Sequence, residues 1–249
     1  MSTSKITAAL GILAVLILPS WVEAAVGTVD IDHATLGASD FLGVYGGGHN
    51  GTEIFAGAYK LDKTGGTGMG TIWPNGLLPA FCIELNEYAP ILPVTFDVIE
   101  PEDATNSILG DTFGTTRASY LQELWGRYYD PSWAGSGPFT SSQIVEATAF
   151  GAAVWEIVYE DLPVSPLLWN VDVDGSAGIA GLSLDGVNSV LANSWLHSLN
   201  GSGPKTTLAV LTNEGCQNYL VAVPEPATLV LLGLGGAFSL ARHRRRLRA

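Results

Sequence analysis

Apolar and polar positions fall into three regimes along this chain. Continuous apolar runs occupy both ends, at residues 6–18 and 227–241, and neither contains a charged residue. Between them the pattern changes period twice. From about residue 26 to 71 it is β-like with glycine-rich turns, and the stretch 52–61 alternates as a strand should. Residues 79–87, "PAFCIELNE", and 93–99, "PVTFDVI", predict two further strands.

The spacing then becomes helical. In 116–129, Tyr120, Leu121, Leu124, Trp125 and Tyr128 share one face at three-and-four intervals. A second helix over 140–160 opens on Thr140 with Gln143 three positions on, a capping-box pattern, and stops before Pro163. A third over 185–199 takes Asp185 as its N-cap and ends at Asn200-Gly201. Strands over 205–213 and 216–223 close the region. Strands, about three helices, then strands predict an α+β, β-rich domain over residues 25–220 rather than a βαβ series.

The terminal runs carry topological information. Lys5, the apolar run and the small residues around Val22-Glu23-Ala24 form a signal peptide over residues 1–24. The C-terminal run of fifteen residues would reach only about 22 Å as a helix, against a hydrocarbon core of roughly 30 Å. It cannot extend backward through Pro224 and Pro226, but Arg242, Arg244, Arg245, Arg246 and Arg248 can snorkel to headgroups. The same arginines place this end on the cytoplasmic side as a basic anchor. The expected layout is a signal peptide, an extracellular domain, and a segment 221–249 containing a transmembrane helix at 227–241.

Signal peptide, Val223-Pro224-Glu225-Pro226, short glycine-containing span and arginine cluster, in that order, resemble the PEP-CTERM sorting signal. The resemblance implies an exosortase as partner, cutting near Pro-Glu-Pro. It also implies transient residence in the inner membrane of a Gram-negative-type bacterium that makes exopolysaccharide, then the cell surface or extracellular matrix.

Charge narrows the function classes. Of 24 acidic residues only Glu23 and Glu225 lie outside residues 25–223, and of 11 basic residues only Lys60, Lys63, Arg117, Arg127 and Lys205 lie inside. That leaves 22 against 5, a net charge of −17, which repels nucleic acid and anionic lipid. No cofactor motif is present, and none is expected. "NVDVDGS" offers Asn170, Asp172 and Asp174 as the start of a calcium loop, but its terminal ligand position falls on Gly181. Trp73 and Trp133 sit in turn-rich segments, where they either fold onto the body or stack on sugar rings. Cys82 and Cys216 are the only cysteines; in an oxidising compartment they either pair or stay as two thiols.

"AFCIELN" (80–86) and "AFGAAVWEIVYE" (149–160) resemble the thioester domains of bacterial surface adhesins, over about residues 75–223. The resemblance implies a thiol at Cys82, a helix motif ending in Ala153, Val154 and Trp155, and a glutamine where this chain has Gly151. Without that carboxamide the motif is degenerate. The expected function is a non-enzymatic structural or adhesive surface protein associated with exopolysaccharide. A secreted polysaccharide hydrolase is the alternative, and a covalent thioester adhesin the second alternative.

Overall fold

The structure, a computed structural model, describes residues 27–105, 110–175 and 181–224. The expected signal peptide, the span 227–241, the arginine tail, Glu225 and Pro226 lie outside the described residues. Among those residues no helix is long and apolar enough to cross a membrane.

Two long strands open the domain, β1 (Gly27–Gly46) and β2 (His49–Thr67), paired antiparallel over nearly their full length. Gly46 pairs with His49, so Gly47 and Gly48 form a two-residue turn. Their φ values of 57° and 92° give the left-handed geometry that matches the twist of a tight hairpin. Register shifts at four places along β1 bend the ribbon. Then follow β3 (Gly76–Cys82), β4 (Val94–Ile99), α1 (Gly114–Tyr128), α2 (Ser141–Tyr159), β5 (Ser183–Asp185), α3 (Ser189–Ser198), β6 (Leu208–Asn213) and β7 (Cys216–Ala222).

The sheet order is β2-β3-β7-β6-β4-β1-β5, and β1 pairs back onto β2. Six antiparallel strands therefore close on themselves, with β5 added at the far end of β1. Ring contacts identify the inner face. Tyr219 of β7 meets Tyr59 of β2 at 5.4 Å and Phe96 of β4 at 6.0 Å between centroids, across strands that are not neighbours. Phe81 points the other way, into Phe150 (4.7 Å) and Trp125 (5.5 Å) of the helices.

Helix α2 is the centre of the outer layer. Every residue from Ala147 to Tyr159 is buried, and it packs on β1 and β2 and against α1 and α3. Its capping box is formed as its sequence predicts: Gln143 N–H donates to Thr140 Oγ1 at 3.2 Å, and Thr140 N–H to Gln143 Oε1 at 2.9 Å. At the other end, Arg117 of α1 donates to the carbonyls of Ile157 (3.2 Å) and Glu160 (2.8 Å), satisfying groups the last turn leaves open.

Two predicted boundaries shift. The third helix begins at Ser189, capped by the Asn188 side chain, because Asp185 is drawn into β5 opposite Gly43. The predicted strand 79–87 ends at Cys82, because the chain turns inward at Glu84.

Candidate functional site

Alternation along β3 sends Phe81 to the helices and Cys82 to the inner face, where it lies opposite Tyr219. Two positions earlier on β7, on the same face, is Gln217. The Cys82 thiol donates to the Glu84 carbonyl oxygen at 2.9 Å, and Gln217 Nε2 donates to that same oxygen at 3.1 Å. Cys82 Sγ and Gln217 Nε2 can thus be no more than 6.0 Å apart, the two bonds laid end to end. Both side chains are almost sealed from water, at 2% and 3% exposure.

Other polar groups surround the pair. The Tyr59 hydroxyl lies against the Gln217 side chain. Gln217 Oε1 and the Tyr219 hydroxyl are buried without a hydrogen-bond partner among the described residues. Burial pushes the Cys82 thiol well above the ordinary thiol range, so it is protonated at neutral pH. Burial also raises the hydroxyls of Tyr59 and Tyr219 well above the phenol range, and the neighbouring Cys82 adds to it.

Helix α2 fixes the backbone that holds this arrangement. Trp155 Nε1 donates to the Cys82 carbonyl at 2.9 Å. One turn on, the Tyr159 hydroxyl donates to the Ile83 carbonyl at 3.0 Å and accepts from Leu85 N–H at 3.2 Å. Spacing of four brings both side chains to one face of the helix, and the Glu84 carbonyl is aimed by the segment they grip. A groove of about 580 Å³ leads to Tyr59 and Gln217 from the β1–β2 ribbon, where Phe41 and Phe55 stack at 3.7 Å between centroids.

The second region of interest is where the domain ends. Val223 N–H donates to the Thr207 carbonyl at 2.9 Å, directly beyond the last residue of β7. Pro224 lines an apolar groove of about 300 Å³ with Trp73, Leu77, Pro79, Trp125 and Tyr129. The family model for the PEP-CTERM protein-sorting motif matches residues 222–246. The chain carries a PEP-CTERM sorting motif. It is therefore an exported protein, held transiently in the membrane and processed by an exosortase. Val223 and Pro224 of the motif follow the domain with no linker between, and four of the five predicted anchor arginines, Arg242 to Arg246, fall within the matched residues. No curated protein and no solved structure matches the chain.

The remaining sequence-predicted residues are redistributed. Gly151 is not a vacant glutamine position facing Cys82: a Cβ built there would stand 2.8 Å from the backbone nitrogen of Gly57, so this glycine lets α2 approach β2. The carboxamide beside Cys82 belongs to Gln217 instead. Cys82 and Cys216 are both free thiols, and the register explains why. Cys82 faces Tyr219, three residues from Cys216, which is about 10 Å along the strand and beyond the ~7 Å reach of a disulfide.

Trp73 and Trp133 do not present faces to a sugar. Trp133 is 1% exposed and packs on Phe150 at 5.4 Å, and Trp73, at 4%, donates its indole N–H to the Ala222 carbonyl at 2.7 Å. Asn170 uses its side-chain oxygen internally, accepting from Asp172 N–H (3.3 Å) and Asn193 Nδ2 (2.8 Å), while Asp172 and Asp174 are exposed. This loop is organised by carboxylates at the end of α2, Glu156 of the helix accepting from Asn170 N–H and Glu160, just beyond it, from Gly175 N–H.

Glu123 escaped the sequence reading. Its inaccessible carboxylate pairs with Arg127 (2.7 Å) and accepts from the backbone N–H groups of Asn200, Gly201 and Gly203. The i,i+4 spacing to Arg127 was the available signal; the approach of the turn at 200–203 to Glu123 was not.

Proposed function

We propose that the domain is a covalent adhesin, in which Cys82 and Gln217 join as an internal thioester that later transfers to a partner. The observation that carries this reading is their shared acceptor: thiol and carboxamide, both buried, are bonded to the single carbonyl oxygen of Glu84. Cys82 sulfur attacks Gln217 Cδ; the C–S bond forms, the C–N bond breaks, and the thiol proton leaves on nitrogen as ammonia. The Tyr219 hydroxyl, two residues along the same face and without a hydrogen-bond partner among the described residues, is the nearby donor free to turn toward negative charge developing on Oε1. Exclusion of water protects the product from hydrolysis.

An incoming amine or hydroxyl then forms its bond to Gln217 Cδ as the C–S bond breaks, and its proton returns to sulfur. One chain makes one bond, so the protein is consumed rather than turned over and is not an enzyme. Export and exosortase processing would deliver such a reactive domain to the surface or matrix. The Ala153-Val154-Trp155 segment fits this role by clamping Cys82 through Trp155.

Intact mass of the exported protein tests it. The expected mass is lower than that of the mature, processed sequence by one ammonia, about 17 Da, and methylamine adds to Gln217 and frees the thiol. Cys82→Ala and Gln217→Ala abolish both effects. Full mass without a methylamine adduct, with Cys82 labelled by iodoacetamide once the protein is unfolded, would overturn the reading.

A further inference from the structure

The groove leading to Gln217 restricts what can reach it, an inference that rests on the thioester reading. Two carboxylates, Glu53 and Glu87, line the groove beside His49, and among the described residues no lysine or arginine does. A domain of net charge −17 adds a field of the same sign. Anionic partners are repelled and a cationic one is drawn in. The wall is aromatic as well: Phe41 stacks on Phe55 yet keeps 49% of its surface exposed. A phenyl face attracts an ammonium and packs on flat apolar surface. A groove of about 580 Å³ has the size of a site for an extended ligand rather than a single small amine.

We propose that the partner is a polymer of amino sugar with free amines, a deacetylated hexosamine chain. Its ring faces lie on Phe41 and its ammonium groups face Glu53 and Glu87. One unprotonated amine reaches Gln217 Cδ: the C–N bond forms, the C–S bond breaks, and the amine proton passes to the Cys82 sulfur, leaving an amide and a free thiol. A lysine side chain supplies the ammonium but no ring for the aromatic wall. An N-acetylated sugar supplies the ring but neither charge nor nucleophile.

The experiment incubates the exported protein with four probes and follows adduct mass: methylamine, deacetylated glucosamine oligomer, its fully N-acetylated counterpart, and a lysine-containing peptide. The expected result is an oligomer adduct formed at least about tenfold faster than the peptide adduct at equal amine concentration, with none from the acetylated oligomer. Phe41→Ala and Glu53→Gln, both at exposed positions, each lower the ratio of oligomer rate to methylamine rate several-fold. A methylamine adduct with equal oligomer and peptide rates, or with ratios unchanged in both variants, would overturn the amino-sugar proposal alone. No methylamine adduct would overturn the thioester reading beneath it.

Discussion

Trp155 on α2 donates its indole N–H to the Cys82 carbonyl at 2.9 Å, tying the most buried helix to the last residue of β3. The bond holds the carbonyl of the residue at which β3 ends, just before the turn at Glu84. Replacement by Phe keeps an aromatic ring but is smaller than the indole and leaves that carbonyl without its side-chain donor in the interior, the lost hydrogen bond alone costing about 1–3 kcal/mol. For a domain of this size each kcal/mol lowers Tm by about 2–4 °C. Trp155→Phe is expected to melt several degrees lower by calorimetry, and to show a reduced fraction of molecules lacking ammonia by intact mass.

Gly151→Ala tests the close approach of α2 to β2. With a built Cβ 2.8 Å from Gly57 N, the helix must shift, and overpacking of this kind costs about 1–3 kcal/mol. The denaturant midpoint falls while the unfolding slope stays unchanged. Folded molecules still lose ammonia, because the carboxamide comes from β7.

Glu123 gives the fold a defined acid sensitivity. Burial alone would raise its carboxyl, but Arg127 and the N–H groups of Gly201 and Asn200 outweigh burial and hold it below its ordinary value of 4.5. A depressed carboxylate stabilises the fold above that ordinary value, and the contribution is lost as pH falls through the lower folded value. Urea midpoints of wild type and Glu123→Gln should therefore differ most above pH 5 or so and converge as pH drops below about 4. A gap independent of pH would contradict this.

The two cysteines should respond differently to alkylation. Cys216 is partly exposed, whereas Cys82 is sealed, and its sulfur is shielded whether it stands as a buried thiol, held protonated by burial, or is joined to Gln217. In the native protein iodoacetamide labels Cys216 and spares Cys82. Non-reducing peptide maps contain no fragment joining the two.

Processing at the sorting motif predicts a mature C-terminus near residues 224–226. Peptides spanning 223–240 should be missing from surface material and present when the exosortase is deleted. With Val223 bonded to Thr207, the protease must work directly against the folded body.

What was open to sequence reading shares one property: it is local. The sorting motif is read by an exosortase as a linear segment, so order and composition suffice to identify it. Helix α2 was placed almost to the residue because Thr140, Gln143 and Pro163 act on backbone groups within one turn of themselves. The start of α3 was missed where local signals tie. Asp185 and Asn188 are both good caps, and the choice falls to Asn188 because Gly43, far back in the chain, pairs with Asp185. Trp73 and Trp133 in loops carried no sign of their burial for the same reason: their partners, Ala222 and Phe150, are distant in sequence. The pairing of Cys82 with Gln217 is the largest case. No spacing connects them; closure of six strands and the register of Cys82 against Tyr219 set them on one face, and a carbonyl turned inward at Glu84 receives both. Register is fixed by the total of side chains that a strand buries and by the ladder on each side, so it belongs to the closed sheet as a whole and to no segment of it.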